Sequence, residues 1–317
     1  MYKNEPIFLS PSFQEKIWGG QKLESLFNYN IPSTKTGEAW VVSAHEQGFS
    51  KILNGPYKGK TLNFIWERHR ELFGNSQDRE FPLLVKIIDA NEDLSVQVHP
   101  DDAYANLYEN ENYGKTECWY ILEAEPDAEI VCGHHANSKK EFLKMIHDED
   151  WEDLLVKRNV KKGDFIYIPS GTVHALGQGI VLLEIQQSSD ITYRIYDYDR
   201  KNDKGVKRDL HLDQALDVIK IPHKEEEQVP KKIQKKGIEI THLMRNNYFF
   251  VSHYQVYDNI CLSNSETFQL FNVIEGKGTI EINKNKIEIQ KGDNFILPHQ
   301  IKEYSLNGLM EIIVTCE

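Results

Sequence analysis

Two hydrophobic periods alternate along the chain. Residues 38–53 and 81–99 carry apolar, β-branched runs such as AWVVSA and PLLVKIIDA, bounded by glycine, proline and charged turns, and they predict strands. Between them, TLNFIWERHRELFG sets Leu62, Ile65, Trp66, His69 and Phe73 at helical spacing with Gly74 as a stop, which predicts one amphipathic helix. A second helix is predicted after Pro100, with Asp101 or Asp102 near its start, over residues 103–109. A third helical stretch is predicted through SKKEFLKMIHDEDWEDLLVKR, residues 138–158, where Ser138 can cap and Glu141 follows three residues on.

The pattern also repeats. KKGDFIYIP (Lys161–Pro169) and QKGDNFILP (Gln290–Pro298) share K-G-D, four mostly apolar residues and a proline, 129 residues apart. Upstream, WYILEAEPDAEIV (Trp119–Val131) and FNVIEGKGTIEI (Phe271–Ile282) match as strand and turn. From Glu123 to the first K-G-D glycine is 40 residues and from Glu275 to the second is 17, a difference of 23, about the length of the third helical stretch. Two related β-units, with helices inserted in the first, are the economical reading. Short strands with G-D and P-x-G turns predict a mainly β fold of two jelly-roll-like β-barrel units rather than a parallel α/β sheet. The polar segment 223–236 (HKEEEQVPKKIQKK) is expected to link a unit at 1–222 to one at 237–317.

Composition narrows the class. The 317 residues are 40% hydrophobic and 11% aromatic, enough for a real core, and a net charge of −12 disfavours general binding to nucleic acid or an anionic membrane. The four cysteines form no C-x-x-C pair, which fits a reducing compartment. The first twenty residues lack the apolar core of a signal peptide, and no stretch approaches the ~18 apolar residues of a membrane span. A cytoplasmic, soluble protein is expected.

Candidate chemistry sits in two places. In SVQVH, Ser95, Gln97 and His99 share one strand face while Val96 and Val98 share the other, so two donors can meet one ion. An exposed polar strand face would look the same. The second place is GDFIYIPSGTVHAL, whose G-x5-P-x-G-x2-H spacing, ending at His174, resembles the second motif of the cupin superfamily. The first cupin motif is present in altered form, with Gln97 in place of a histidine, then His99, then Glu117 after an apparent insertion. Two imidazoles, a carboxylate and an amide oxygen, with no thiolate, suit Zn²⁺ or another first-row divalent ion with a position left for substrate. In the second unit the positions matching His174 and Glu117 are Glu303 and Gln269, so that unit is expected to hold no metal.

VQVHPDD, GKTECWYIL, PSGTVHAL and YRIYDYDR, with KIWGG and GEAWVVSAH near the N-terminus, resemble in order the signature of type I mannose-6-phosphate isomerases of the short form. The resemblance implies one zinc ion on Gln97, His99, Glu117 and His174, a catalytic arginine at Arg194, and a sugar phosphate as partner. It also implies that Ser95 and Lys115 meet the phosphate end and that Glu184, ten residues before Arg194, faces substrate. Aldose–ketose conversion moves a proton between C1 and C2 through an enediolate, whose charge a metal can stabilise. Arginine stays protonated in proteins, so Arg194 is expected to stabilise charge. The base stays open among Glu184, a metal-bound water and a pocket histidine or lysine. Two other classes compete: a cupin oxygenase holding Fe²⁺ on two histidines and a carboxylate, and a non-catalytic sugar-binding cupin. Without the resemblance, Arg194 reads as a surface ion pair and Lys115 as a solvated lysine. His134 and His135, adjacent on a strand, should face opposite ways, and Cys118 should point from Glu117 into the core.

Overall fold

A strand covered on both faces needs apolar residues at nearly every position, and Leu83–Ala90 is buried throughout its length. In the computed structural model, which describes residues 2, 4–201, 204–226, 228–264 and 267–317, this strand lies inside a six-stranded antiparallel sheet. The sheet runs Phe165–Ile168, Glu117–Ala124, Ile180–Gln187, Leu83–Ala90, Thr36–Val42, Ser12–Gly20. A five-stranded sheet faces it, in the order Tyr193–Tyr196, Val96–Val98, His174–Leu176, Glu129–His134, Leu155–Asn159. Trp18, Ile88, Trp119 and Leu182 from the first sheet pack on Ile130, Cys132 and Leu176 from the second, so the N-terminal unit is a jelly roll with its core between two sheets.

The other faces are covered as well. Helices Lys139–His147, Trp151–Leu154 and Leu212–Val218 lay Phe142, Leu154 and Ala215 on Val96, Val98 and Val131, behind the five-stranded sheet. Behind the six-stranded sheet, Val85, Cys118, Tyr120 and Ile185 meet Leu270, Ile296 and Ile313 of a ten-stranded sheet that forms the C-terminal unit. That unit keeps its own core around Phe271, Phe295, Tyr304 and Leu306.

Local signals are realised closely. The helix expected over 61–74 forms at Leu62–Arg68, capped by the Thr61 hydroxyl accepting from Phe64 N, then breaks at half-exposed His69 into a 3-10 turn ended by Gly74 at φ +72°. After Pro100, Asp101 caps Asp102–Tyr104, and a π-helical turn continues over Ala105–Glu109. Ser138 accepts from Glu141 N at 3.2 Å, while the Glu141 carboxylate accepts from Asn137 N at 2.8 Å. Both K-G-D turns close alike: Asp164 accepts from Lys161 N at 2.9 Å and Asp293 from Gln290 N at 2.8 Å, around glycines at φ +90° and +92°.

Two expectations need correction. Residues 155–158 are not helical but lie in the strand Leu155–Asn159, because Leu155, Lys157 and Arg158 pair with the strand Glu129–His134. Within the segment expected to be a linker, Lys231–Lys235 forms an edge strand on Ile238–Arg245; residue 227 of that segment lies outside the described residues. The N-terminal part of the chain also adds two strands to the edge of the C-terminal sheet: Ile7–Ser10 pairs with Asn294–Leu297 on one side and with Lys51–Ile52 on the other. None of the four cysteines lies in a disulfide, and among the described residues no helix is long and apolar enough to cross a membrane.

Candidate active site

Alternation in two facing strands builds the site. Val96 and Val98 point to the helical layer, while Ser95 and Gln97 line a cavity of about 290 Å³ between the sheets. Gln97 pairs in register with His174 on one side and Arg194 on the other, so one row of the five-stranded sheet carries all three. The opposing sheet contributes Glu117, which pairs with Gln186, and Glu184, which pairs with both Trp119 and Lys86. Cys118, between Glu117 and Trp119, falls in the core on the far face of that sheet.

Glu117 lies 18 residues from His99 in sequence, yet the intervening loop closes on itself. Lys115 N donates to Pro100 O at 2.9 Å, and Gly114 N donates to Asp102 Oδ1 at 2.8 Å. A Cβ on Gly114 would meet the Asp101 carbonyl carbon at 2.4 Å, so only glycine allows this neck. Glu117 therefore returns beside His99, with Oε2 3.6 Å from His99 Nε2 and Oε1 3.3 Å from His174 Nε2.

His99, Glu117 and His174 are all buried, and their ligand atoms lie within 4.8 Å of one another. The far nitrogen of each ring is tied down: His99 Nδ1 bonds Ile191 O at 2.7 Å and His174 Nδ1 bonds Thr172 O at 2.9 Å. Nδ1 then carries the proton and Nε2 presents its lone pair to the cluster. Burial and the Lys115 ammonium hold His99 well below its ordinary pKa and His174 near 4, so both are neutral at pH 7. Burial pushes the Glu117 carboxyl up against the pull of Lys115, and Glu117 Oε1 has no hydrogen-bond partner despite being buried. Two neutral imidazoles and a carboxylate oxygen awaiting a partner fit a divalent cation. The Gln97 amide, 3.4 Å from His174 Nε2, can offer its oxygen by turning over. Among the described residues this is the only such cluster of histidine, cysteine and carboxylate.

Lys115 lies at the same point. Its ammonium donates to Glu117 Oε2 at 2.5 Å and to His99 Nε2 at 3.0 Å, and its side chain also lines the cavity. It sits with the ligand cluster, whereas Ser95 sits with Arg194, whose Nε donates to Ser95 Oγ at 3.3 Å. Arg194 is further fixed by Nη1 donating to Asp209 O at 2.9 Å. Glu184 accepts from Trp119 Nε1 at 3.1 Å and pairs with Lys86 Nζ at 3.3 Å. Burial alone would raise its pKa, but Lys115 and Lys86 outweigh that and hold the carboxyl low.

Three further groups in the cavity have no counterpart among the residues singled out from sequence. Lys86 is buried between Glu184 and Glu38, with its ammonium 5.2 Å from the centre of the Trp40 ring. Glu38 accepts from Trp40 Nε1 at 2.7 Å and pairs with Lys16 at 3.2 Å. Arg208 lines the wall while holding Asp197, which Arg200 also bonds. A lone lysine inside the apolar run PLLVKIIDA was the available signal for Lys86, because a lysine there must be buried and paired. Arg208 offers none, since a charged loop reads as solvated. Five cations (Lys16, Lys86, Lys115, Arg194, Arg208) line the cavity against three carboxylates (Glu38, Glu184, Asp190), so it is cationic in an acidic protein.

Comparison with known proteins finds relatives over nearly the whole chain. A family model for the type I phosphomannose isomerase catalytic domain matches residues 7–118, and one for the mannose-6-phosphate isomerase cupin domain matches residues 239–317. A probable mannose-6-phosphate isomerase of Bacillus subtilis is 48% identical over 98% of both chains, and a mannose-6-phosphate isomerase of Streptococcus mutans is 48% identical over the same shares. The crystal structure of a Bacillus subtilis mannose 6-phosphate isomerase superposes with a TM-score of 0.97 at 46% identity, covering 98% of this chain and 99% of that one. A putative mannosephosphate isomerase of Archaeoglobus fulgidus, 21% identical with a TM-score of 0.75 over 98% and 97% of the two chains, shares the fold.

Proposed function

The chain belongs to the type I phosphomannose isomerases, and from that premise we propose that it interconverts mannose 6-phosphate and fructose 6-phosphate at a single zinc ion held by Gln97, His99, Glu117 and His174. The observation that carries this reading is the buried His99–Glu117–His174 cluster, with both Nδ1 atoms tied to carbonyls, at the edge of a cationic cavity. Bound there, the ion would supply Lewis acidity toward the sugar oxygens that become negative in the enediolate.

The chain's own residues divide the remaining work. Arg194, anchored by Ser95 and Asp209, presents a permanent charge for an anionic oxygen or the phosphate, and Arg208 beside it adds a second guanidinium. Glu184, its carboxyl held low between two ammonium groups, is a poor proton acceptor; its work is to orient Lys86 and Trp119 along the substrate's path. Lys115 reaches from the ligand cluster into the cavity, and we assign it the proton transfer between C1 and C2: as the free amine its Nζ lone pair would take the proton from one carbon, and the ammonium so formed would return it to the other. All of these groups fall within residues 1–222, so residues 237–317 act as a metal-free supporting unit. Four cysteines outside any disulfide and a phosphorylated substrate support a cytoplasmic location. Family membership argues against the oxygenase and the non-catalytic readings.

The test is a coupled assay on protein stripped with chelator and reloaded with one equivalent of Zn²⁺. Turnover of mannose 6-phosphate should vanish on stripping and return with Zn²⁺. No turnover from demonstrably zinc-loaded protein would overturn the reading.

A further inference from the structure

The strand that carries Glu184 ends in two consecutive glutamines, both buried. Gln186 lies two residues beyond Glu184, on the same face of the sheet, and pairs in register with Glu117. Its amide nitrogen donates to Gln187 O at 2.8 Å and to Ser189 O at 2.6 Å, so both amide protons close the turn that follows. The turn is tied at several further points: Ser188 N donates to Pro82 O at 2.8 Å, and Ile191 N donates to Ser189 Oγ at 3.3 Å. Gln187 fastens its other side. Its Oε1 accepts from Thr116 N, between Lys115 and Glu117, and its Nε2 donates to Asp102. The turn ends at Ile191, whose carbonyl is the acceptor for His99 Nδ1.

We propose that Gln186 is a positioning residue for the metal centre: by closing the turn over residues 187–189 it places the Ile191 carbonyl that holds the His99 ring with Nε2 toward the ion. The proposal rests on the metal-site reading above. Only a primary amide suits the position. Two carbonyl oxygens meet two donors of one planar group, a carboxylate at the same point would repel both, and a thioether would leave Ser189 O without this donor and Gln187 O with the Ser189 N–H alone. Once the turn relaxes, His99 loses the acceptor that selects its tautomer, and the tautomer protonated on Nε2 cannot ligate.

The experiment compares wild type, Gln186→Met, Ser189→Ala and His99→Ala, each stripped of metal. Zn²⁺ affinity is read by competition with a chromophoric chelator, ligand geometry from the visible spectrum of the Co²⁺ form, and stability from the thermal midpoint of the metal-free protein. Gln186→Met should weaken Zn²⁺ binding by roughly 10–100-fold, the range seen for outer partners of metal-bound histidines, and should alter the Co²⁺ spectrum. Ser189→Ala, which removes one hydroxyl from the same turn, should shift both in the same direction by less; it carries the test if Gln186→Met does not fold. Wild-type affinity and spectrum in Gln186→Met and Ser189→Ala, whatever their thermal midpoints, would overturn the proposal provided His99→Ala has lost the ion. Equal Zn²⁺ binding by wild type and His99→Ala would instead remove the metal-site reading on which it rests.

Discussion

Burying His99 and His174 as neutral rings has a consequence that can be measured without substrate. Their folded pKa values lie below the unfolded value near 6.5, with His174 near 4, so the unfolded chain takes up protons first as pH falls. For the metal-free protein each histidine is therefore expected to cost about 1.4 kcal/mol per unit below pH 6.5, levelling for His174 only below about pH 4, while Glu117, its carboxyl raised to about 7, returns a similar amount down to about pH 4.5, so that stability falls by about 1.4 kcal/mol per unit net. Urea midpoints at pH 7, 6 and 5 check this, and a flat profile would mean that the rings are charged or solvated. Substitution separates binding from chemistry at the same scale. Arg194→Ala should keep its zinc and lose ~10²–10³ in kcat, the usual cost of removing one charge-stabilising donor. Lys115→Met should likewise retain zinc, since it removes an ammonium that competes for His99 and Glu117, while turnover collapses. Metal content measured beside the kinetics distinguishes both from ligand loss. Gln97, His99 and His174 were legible as residues because alternation and a fixed turn-to-histidine spacing mark them. Lys86 and Arg208 were not, because their role comes from what lies across the cavity.

Elements were readable wherever a local rule sufficed. Thr61, Asp101 and Ser138 all cap the helices that follow them, and the paired K-G-D turns share one hydrogen-bond pattern. The strand Leu155–Asn159 was missed because LVKR continues an acceptable helical pattern, and only an open edge on Glu129–His134 draws it into a sheet. The loop between His99 and Glu117 shows how an element can serve the site without touching substrate. Replacing Gly114 by alanine would force its Cβ against the backbone of Pro100 and Asp101, which cannot step aside. Gly114→Ala is expected to open the neck, lower the melting temperature and weaken zinc binding together, read by calorimetry and chelator competition. Wild-type values for both would mean that the loop does not hold Glu117 in place.

On the scale of the molecule, the six-stranded sheet has the active cavity on one face and the C-terminal unit on the other. Trp66, Phe73 and Phe81 from the first unit pack around Phe268 of the second, with ring centroids 5.0–6.3 Å apart from Trp66. With the strand Ile7–Ser10 also shared, the chain should unfold as one body. Trp66→Ala should cost ~3–5 kcal/mol and shift a single calorimetric transition; two resolved transitions would contradict a shared core. The excess of acid over base in composition gives the protein a net charge of −12, yet it is silent about a cavity in which five cations converge. Periodicity and turn chemistry, properties of neighbours in the chain, determined by themselves the mainly β class and pointed to His99 and His174, which the structure brings together with Glu117. Tertiary structure alone decided which sheet faces which, that an 18-residue excursion returns Glu117 to His99, that Ile7–Ser10 crosses to the far unit, and where charge collects. The reason is physical: strand pairing and ion pairing join groups far apart in sequence, and no local pattern records the partner.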